Sequence, residues 1–268
     1  MLKIGLSSCR KELNEKLFSD YAKAGIRAIE ITPDWENYKY LNYKELKTYA
    51  ERYGVTLWSY HLPFQTTDLS TQDRAWRLCC TEYMSELIKQ GSDIGIHKFV
   101  AHPSSGDFPP EERVEKILCA KESLNELAEV ASRFESEICV EVLPRQCLGN
   151  CSTELLDLIS VNDKLRVCFD TNHLLREDAL DFINKIGNKI TTLHVSDYDF
   201  VDERHWLPGE GQIQWHRLYH ALLESGYTGV WMYELGFARA DRERALTCEN
   251  IAQNAHEIFT GKQLSLFR

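Results

Sequence analysis

The chain has no apolar run long enough to cross a membrane, and charged residues follow soon after its short apolar beginning. A transmembrane helix needs about 20 consecutive, mostly apolar residues. A secretory signal needs a continuous hydrophobic segment behind its first charges. We therefore expect a cytoplasmic protein with no membrane partner.

Positively charged residues are also fewer than negatively charged ones. Lys and Arg number 31 against 41 Asp and Glu, so the formal net charge is −10. A surface that binds DNA or RNA uses Lys and Arg to neutralise phosphates. We therefore expect no nucleic-acid partner and favour a small molecule as the ligand.

Paired cysteines and glycine-rich motifs are missing as well. The nine cysteines form no CxxC pair, which argues against a zinc ribbon and is typical of reduced cytosolic thiols. The segment Ser7-Ser8-Cys9-Arg10, after the first predicted strand, lacks the glycine spacing of a dinucleotide-binding fold. A doubly wound open sheet is therefore the less favoured α/β architecture.

Short apolar runs alternate with longer amphipathic ones along the whole chain. This alternation predicts helices at 13–24, 43–53, 71–90, 111–134 and 239–259. It predicts strands at 2–7, 27–31, 55–61, 98–101, 138–143, 165–169, 190–195 and 229–235. Eight βα units in a chain of 268 residues match a (β/α)8 TIM barrel. We expect residues 1–268 to form a single domain of this α/β class.

The ends of predicted strands three to eight carry side chains that bind metals. These residues are His61, His102, Glu141, Asp170, His173, His194 and Glu234. In a barrel, the carboxyl ends of all strands meet at one face, where active sites lie. A lone histidine after a strand is more often structural, so only the collection indicates a site.

Two of these residues, Glu141 and Glu234, lie within apolar strands. An unpaired carboxylate in such surroundings costs several kcal/mol in lost hydration. Arg145 or Arg166 could supply the partner, but a shared cation explains both glutamates at once. Glu141, Asp170, His194 and Glu234 would bind one divalent ion, with Mn²⁺, Mg²⁺ or Co²⁺ favoured and Zn²⁺ an alternative.

Five motifs of the second half resemble the xylose isomerase-like barrel superfamily. That superfamily includes sugar phosphate isomerases and epimerases, ketose 3-epimerases, inosose-processing enzymes and endonuclease IV. The motifs are VEVLPR at 140–145, FDTNHL at 169–174, LHVSDYD at 193–199, LPGEG at 207–211 and YELGF at 233–237. HLPF at 61–64 and AHPSSGD at 101–107 match more loosely.

The resemblance implies a metal-dependent sugar isomerase or epimerase that acts through an enediolate. Glu141, Asp170, His194 and Glu234 would bind the metal, and Glu141 and Glu234 would also exchange protons with the substrate. The expected substrate contacts are His61, His102, His173, Arg204, His205 and Trp206. Trp35 is a further candidate for an apolar wall.

The chain departs from the ketose 3-epimerase pattern at two positions. Cys147 stands where those enzymes tend to place a second glutamate, and Phe200 where they place an arginine. A keto-polyol dehydratase of the inosose type shares the same intermediate and is the first alternative. The sequence leaves self-association into a homo-oligomer open.

An endonuclease IV-like zinc phosphodiesterase is the second alternative, because residues resembling its three-zinc ligands are present. They are His61, His102, His173, Glu203 and His205. The acidic net charge argues against this alternative. A sugar-binding barrel without catalysis is the least favoured, since both glutamates are retained.

Overall fold

The computed structural model describes residues 1–34, 36–236 and 246–267. Its eight strands are β1 (Lys3–Ser7), β2 (Ala28–Ile31), β3 (Thr56–His61), β4 (Lys98–Ala101), β5 (Glu137–Glu141), β6 (Arg166–Asp170), β7 (Ile190–His194) and β8 (Val230–Tyr233). All pairings are parallel, and the strands follow one another in chain order, with β1 also paired to β8.

The sheet closes on itself between β7 and β8. The Val195 N–H donates to the Met232 carbonyl at 2.8 Å, and the Glu234 N–H donates to the Val195 carbonyl at 3.2 Å. A helix follows each strand: α1 (Glu15–Ala24), α2 (Tyr43–Tyr53), α3 (Arg74–Asp93), α4 (Arg113–Ser132), α5 (Ser152–Ile159), α6 (Ala179–Ile186), α7 (Trp215–Glu224) and α8 (Cys248–Thr260). The predicted (β/α)8 TIM barrel is confirmed.

Several element boundaries differ from the predicted ones because capping groups set them. Helix α3 begins at Arg74, later than predicted, because the Asp73 side chain accepts the N–H groups of Ala75 and Trp76. Helix α8 begins at Cys248, behind a capping box between Thr247 and Asn250. The predicted earlier part of that helix, 239–245, lies outside the described residues, as does Trp35.

The barrel interior is built in layers, because alternate residues of a strand point to the same side. Its lower part holds two small apolar clusters, one of Ala28, Val230 and Met232 with Trp58, the other of Val100, Cys139 and Cys168. Two positions further along their strands stand Glu30, Glu141, Asp170 and Glu234. The polar layer therefore rests on an apolar floor at the carboxyl ends of the strands.

No helix in the described ranges is both long and apolar enough to cross a membrane. All nine cysteines are free thiols, without a disulfide between them.

The loop after β7 is organised by the buried carboxylate of Asp197. Five groups donate to it at 2.8 to 3.2 Å: the backbone N–H groups of Tyr198, Gly209, Gly211 and Ile213, and the indole N–H of Trp215. Residue 211 must be glycine here, because a Cβ would lie 2.2 Å from the Tyr198 carbonyl oxygen. Asp197 is therefore a structural residue of the LPGEG turn.

We expect Asp197→Ala to lower the free energy of unfolding by at least about 3 kcal/mol, because several buried donors would lose their acceptor. Urea denaturation followed by circular dichroism measures this change. The control is Asp157→Ala, which breaks the exposed ion pair with Lys121 and should cost less than about 1 kcal/mol. Equal losses in the two variants would contradict the role of Asp197.

Candidate metal centre and active site

The polar layer is centred on the buried imidazole of His194. Its Nδ1 lies 3.0 Å from Glu141 Oε1, 3.3 Å from Glu234 Oε2 and 3.8 Å from Asp170 Oδ2. One donor atom from each of the four residues lies within 4.8 Å of the other three. The structure thus brings together the four side chains that the sequence predicts as metal ligands.

This donor set fits a divalent cation. Asp170 Oδ2 is buried and has no hydrogen-bond partner among the described residues. Burial, together with the charges of Glu141 and Glu234, raises the pKa of Asp170 to about 6. A bound cation would give that oxygen a partner and would offset the repulsion among three clustered carboxylates. Their oxygens and one imidazole nitrogen form a mostly hard ligand set.

The negative charge of the cluster also favours the protonated form of the His194 imidazole. Burial alone would lower the pKa of His194, but the anionic groups around it, including Glu30, Glu234 and Glu141, raise that pKa well above its ordinary value. In turn, the charges of His194 and His102 hold the pKa of Glu141 well below its ordinary value, although burial raises it. The cluster is therefore built to hold positive charge at its centre.

Neither Arg145 nor Arg166, the two partners considered from the sequence, forms an ion pair with the glutamates of the cluster. Arg145 Nη2 lies 2.8 Å from Asp202 Oδ1 and 2.9 Å from Glu203 Oε1. Arg166 Nε lies 3.7 Å from Glu137 Oε2, at the opposite end of the barrel. Partner arginines therefore do not account for the buried carboxylates.

Glu30, on β2, is a member of the cluster that the sequence analysis missed. Its carboxylate is fully buried and lies 3.0 Å from His194 Nε2, on the far side of the ring from the metal-ligand cluster. Ser59 Oγ donates to it at 2.8 Å and Thr32 Oγ1 at 3.3 Å. The available signal was the one that identified Glu141, a carboxylate within an apolar strand.

His61 and His102 contact the other carboxylate oxygen of Glu141. Their Nε2 atoms lie 3.2 Å and 3.0 Å from Glu141 Oε2. The Phe64 ring stacks on His102 with 4.2 Å between the ring centroids. These two histidines therefore hold Glu141 directly and also face the cavity above it.

His173 and His205 also line this cavity. His173 Nδ1 bonds to the Val142 carbonyl at 2.9 Å, and His173 Nε2 lies 3.3 Å from Glu203 Oε2. Although burial lowers the pKa of His173, the charge of Asp170 and the Glu203 hydrogen bond raise it to about 10. His205 Nδ1 is buried and has no partner within the described chain.

Asn172 joins the loop after β6 to the loop after β7. Its Oδ1 accepts the backbone N–H of Arg204 at 2.8 Å and that of His205 at 3.3 Å. His205 has a left-handed backbone, with φ of 52°, which is uncommon for a residue other than glycine. The Asn172 bonds hold this conformation and so place the His205 ring beside His173.

Of the remaining two predicted substrate contacts, Arg204 lines the cavity and Trp206 is not among the described residues that do so. Arg204 pairs with Asp199 at 2.9 Å. The backbone of Trp206 pairs with that of Asp197, and the Arg204 guanidinium carbon lies over the Trp206 ring, 5.9 Å from the ring centroid. The aromatic rings of Phe64 and Tyr38 form part of the cavity wall instead.

The cavity above the cluster measures about 520 Å³, within the usual range of small-molecule sites. His61, His102, Glu141, His173, His205 and Glu234 all contribute to its lining. Two of the four predicted metal ligands, Glu141 and Glu234, therefore line an open pocket of a size suited to a sugar.

The comparisons with known proteins agree with this architecture. The family model described as xylose isomerase-like TIM barrel matches residues 18–251, and the chain belongs to this family. Among curated relatives, the D-psicose 3-epimerase of Ruminiclostridium cellulolyticum is 28% identical over 227 residues, covering 80% of this chain and 75% of the relative.

Two solved structures share the fold over nearly the full length of the chain. A D-tagatose 3-epimerase-like protein matches with a TM-score of 0.78 and 24% identity, covering 97% of this chain and 96% of that one. The apo 3-keto-D-glucoside 4-epimerase of E. coli matches with a TM-score of 0.81 and 17% identity, covering 97% and 100%. The family membership predicted from the motifs is confirmed.

Without added metal, we expect Asp170→Asn to be at least as stable as the wild type at pH 8. Because folding raises the pKa of Asp170 from 3.8 to about 6, its stabilising contribution is complete below pH 3.8 and is lost as the pH rises through about 6. Asparagine removes the charge that is unfavourable above that pH.

Excess Mn²⁺ should stabilise the wild type, by about 2.7 kcal/mol at 100 times the dissociation constant, and the variant far less. Chemical denaturation with chelator and with Mn²⁺ measures both effects, and Asp163→Asn, at an exposed position, is the control. Full Mn²⁺ stabilisation of Asp170→Asn would contradict the assignment of Asp170 as a ligand.

Proposed function

We propose that this protein is a divalent-metal-dependent sugar epimerase or isomerase that acts on a ketose or a related keto-polyol. The observation that carries the proposal is the convergence of Glu141, Asp170 and Glu234 on His194 Nδ1, beside the cavity that Glu141 and Glu234 line. The names of the curated ketose 3-epimerase relatives support the same reaction class.

Glu141, Asp170, His194 and Glu234 would hold the ion. When bound, a divalent cation there supplies positive charge that makes the hydrogen beside a ketose carbonyl more acidic. Glu141 ends β5, and Glu234 immediately follows β8, three strands further round the barrel. The two carboxylates therefore reach the cavity from different directions, so one removes a proton and the other returns it from a second direction.

Residues on the rim would orient the sugar. His205 Nδ1 lacks a partner in the described chain and would bond a substrate hydroxyl. His173 Nε2, now 3.3 Å from Glu203, would bond another, while Phe64 offers an apolar face for C–H groups. Arg204, at the cavity wall, is the candidate for a contact at the far end of the sugar.

The dehydratase alternative uses the same first step. Removal of the proton beside the carbonyl, followed by loss of a hydroxyl from the adjacent carbon, would give an elimination product instead of an epimer. The nature of the product made from each tested ketose or inosose separates the two reactions.

One observation favours the zinc phosphodiesterase as a second candidate. Two more groups with metal-binding geometry flank the central cluster: His61, His102 and Glu141 on one side, and His173, Glu203 and His205 on the other. Three adjacent zinc ions could activate water and clamp a phosphate. Against this candidate, two of the three arginines among the described lining residues, Arg145 and Arg204, are already paired with acids.

Elemental analysis of protein purified without chelator decides between these candidates. We expect about one divalent ion per chain for the sugar enzyme. A content near three zinc ions, with cleavage of DNA at abasic sites, would contradict our proposal and establish the phosphodiesterase.

Glu141→Gln and Glu234→Gln should each abolish epimerisation. General acid–base catalysis contributes about 10²–10⁴-fold to rate, so exchange of the substrate hydrogen beside the carbonyl with deuterium from D₂O should fall by at least that factor. Nuclear magnetic resonance of tested ketoses measures this exchange, and metal content and circular dichroism show whether each variant is folded and loaded.

The matched control is Glu203→Gln, which changes a carboxylate in the same cavity that lies outside the four-ligand cluster. It should retain hydrogen exchange while binding the sugar more weakly. Exchange at the wild-type rate in either Glu141→Gln or Glu234→Gln would refute the two-glutamate scheme.

A further inference from the structure

We propose that Glu30 is a positioning residue, which fixes the His194 ring so that Nδ1 faces the metal. The inference rests on the metal site in our proposed function. Glu30 lies 3.0 Å from His194 Nε2, while Nδ1 faces Glu141, Asp170 and Glu234. The ring therefore lies between one carboxylate on β2 and three at the opposite nitrogen.

The Glu30 carboxylate is itself held in place by two hydroxyl donors. Ser59, on β3, donates to Oε2 at 2.8 Å, and Thr32 donates to Oε1 at 3.3 Å. Thr32 Oγ1 also lies 2.9 Å from Ser7 Oγ, at the end of β1. With zero exposure, this carboxylate has little freedom to turn away from His194.

A neutral imidazole carries its proton on one nitrogen and a lone pair on the other. A carboxylate acts only as an acceptor, so Glu30 requires the N–H of His194 to be at Nε2. The lone pair is then at Nδ1, where the other three side chains converge. Hydrogen bonds of this kind fix the tautomer and orientation of a ligand histidine and raise its basicity.

The first test is the affinity of Glu30→Gln for Mn²⁺. Gln is close in size, but its amide N–H can donate to His194 Nε2, which would favour the proton on Nδ1. We expect the dissociation constant, measured by competition with a fluorescent chelator, to rise about 10- to 100-fold. An unchanged dissociation constant in a folded variant would overturn the role of Glu30.

The matched control is Ser59→Ala. It removes one hydrogen bond to Glu30 but keeps the carboxylate beside His194, so Mn²⁺ affinity should change less than about threefold. A loss as large as that of Glu30→Gln would show that any disturbance of this buried layer weakens the site, and would overturn a specific role for the carboxylate.

The second test needs no variant of Glu30. Nitrogen-15 spectra of wild-type protein with labelled histidine, loaded with Zn²⁺, show which nitrogen of His194 carries the proton. We expect the proton at Nε2, and a proton at Nδ1 would overturn the inference. Failure of the wild type to bind either ion would instead overturn the metal site and with it the proposed function.

Discussion

The whole site depends on one buried imidazole placed among four carboxylates. Glu30 faces one nitrogen of His194, and Glu141, Asp170 and Glu234 face the other. So much negative charge inside a protein is costly unless positive charge is held at its centre. A proton on the ring meets part of this need, yet Asp170 Oδ2 stays without a hydrogen-bond partner in the described chain. The arrangement is better suited to binding a cation than to stabilising the fold.

The barrel can hold this much charge because four inward-facing apolar residues of the layer below are each followed, two positions later in the chain, by an acid. Ala28, Cys139, Cys168 and Met232 pack in the apolar clusters below, and each is followed two positions later by an acid of the polar layer. The apolar floor keeps water from the lower side, while the cavity leaves the upper side open. Strands β2, β5, β6 and β7 and the residue after β8 each contribute one residue to this layer, so the fold assembles a site from positions far apart in the chain.

Much of this site could be predicted from the sequence, because strand ends with ligand-type side chains are visible as a pattern. The roles of three residues could not. Glu30 and His194 are 164 positions apart, and no local pattern shows which inward residues meet across a barrel. Asp197 carries a carboxylate three positions after His194, but five N–H donors surround it. Trp206 resembles a sugar-stacking residue, but its backbone pairs with that of Asp197 and it is not among the described residues that line the cavity.

The bond from Asn172 to the loop after β7 has a consequence for how this family can diversify. Asn172 accepts the main-chain N–H groups of Arg204 and His205, which any residue other than proline provides. The loop thus keeps its attachment whichever side chains it presents to the cavity. Selection can replace those side chains one at a time, acquiring a new substrate preference while the neighbouring acid Asp170 stays in position.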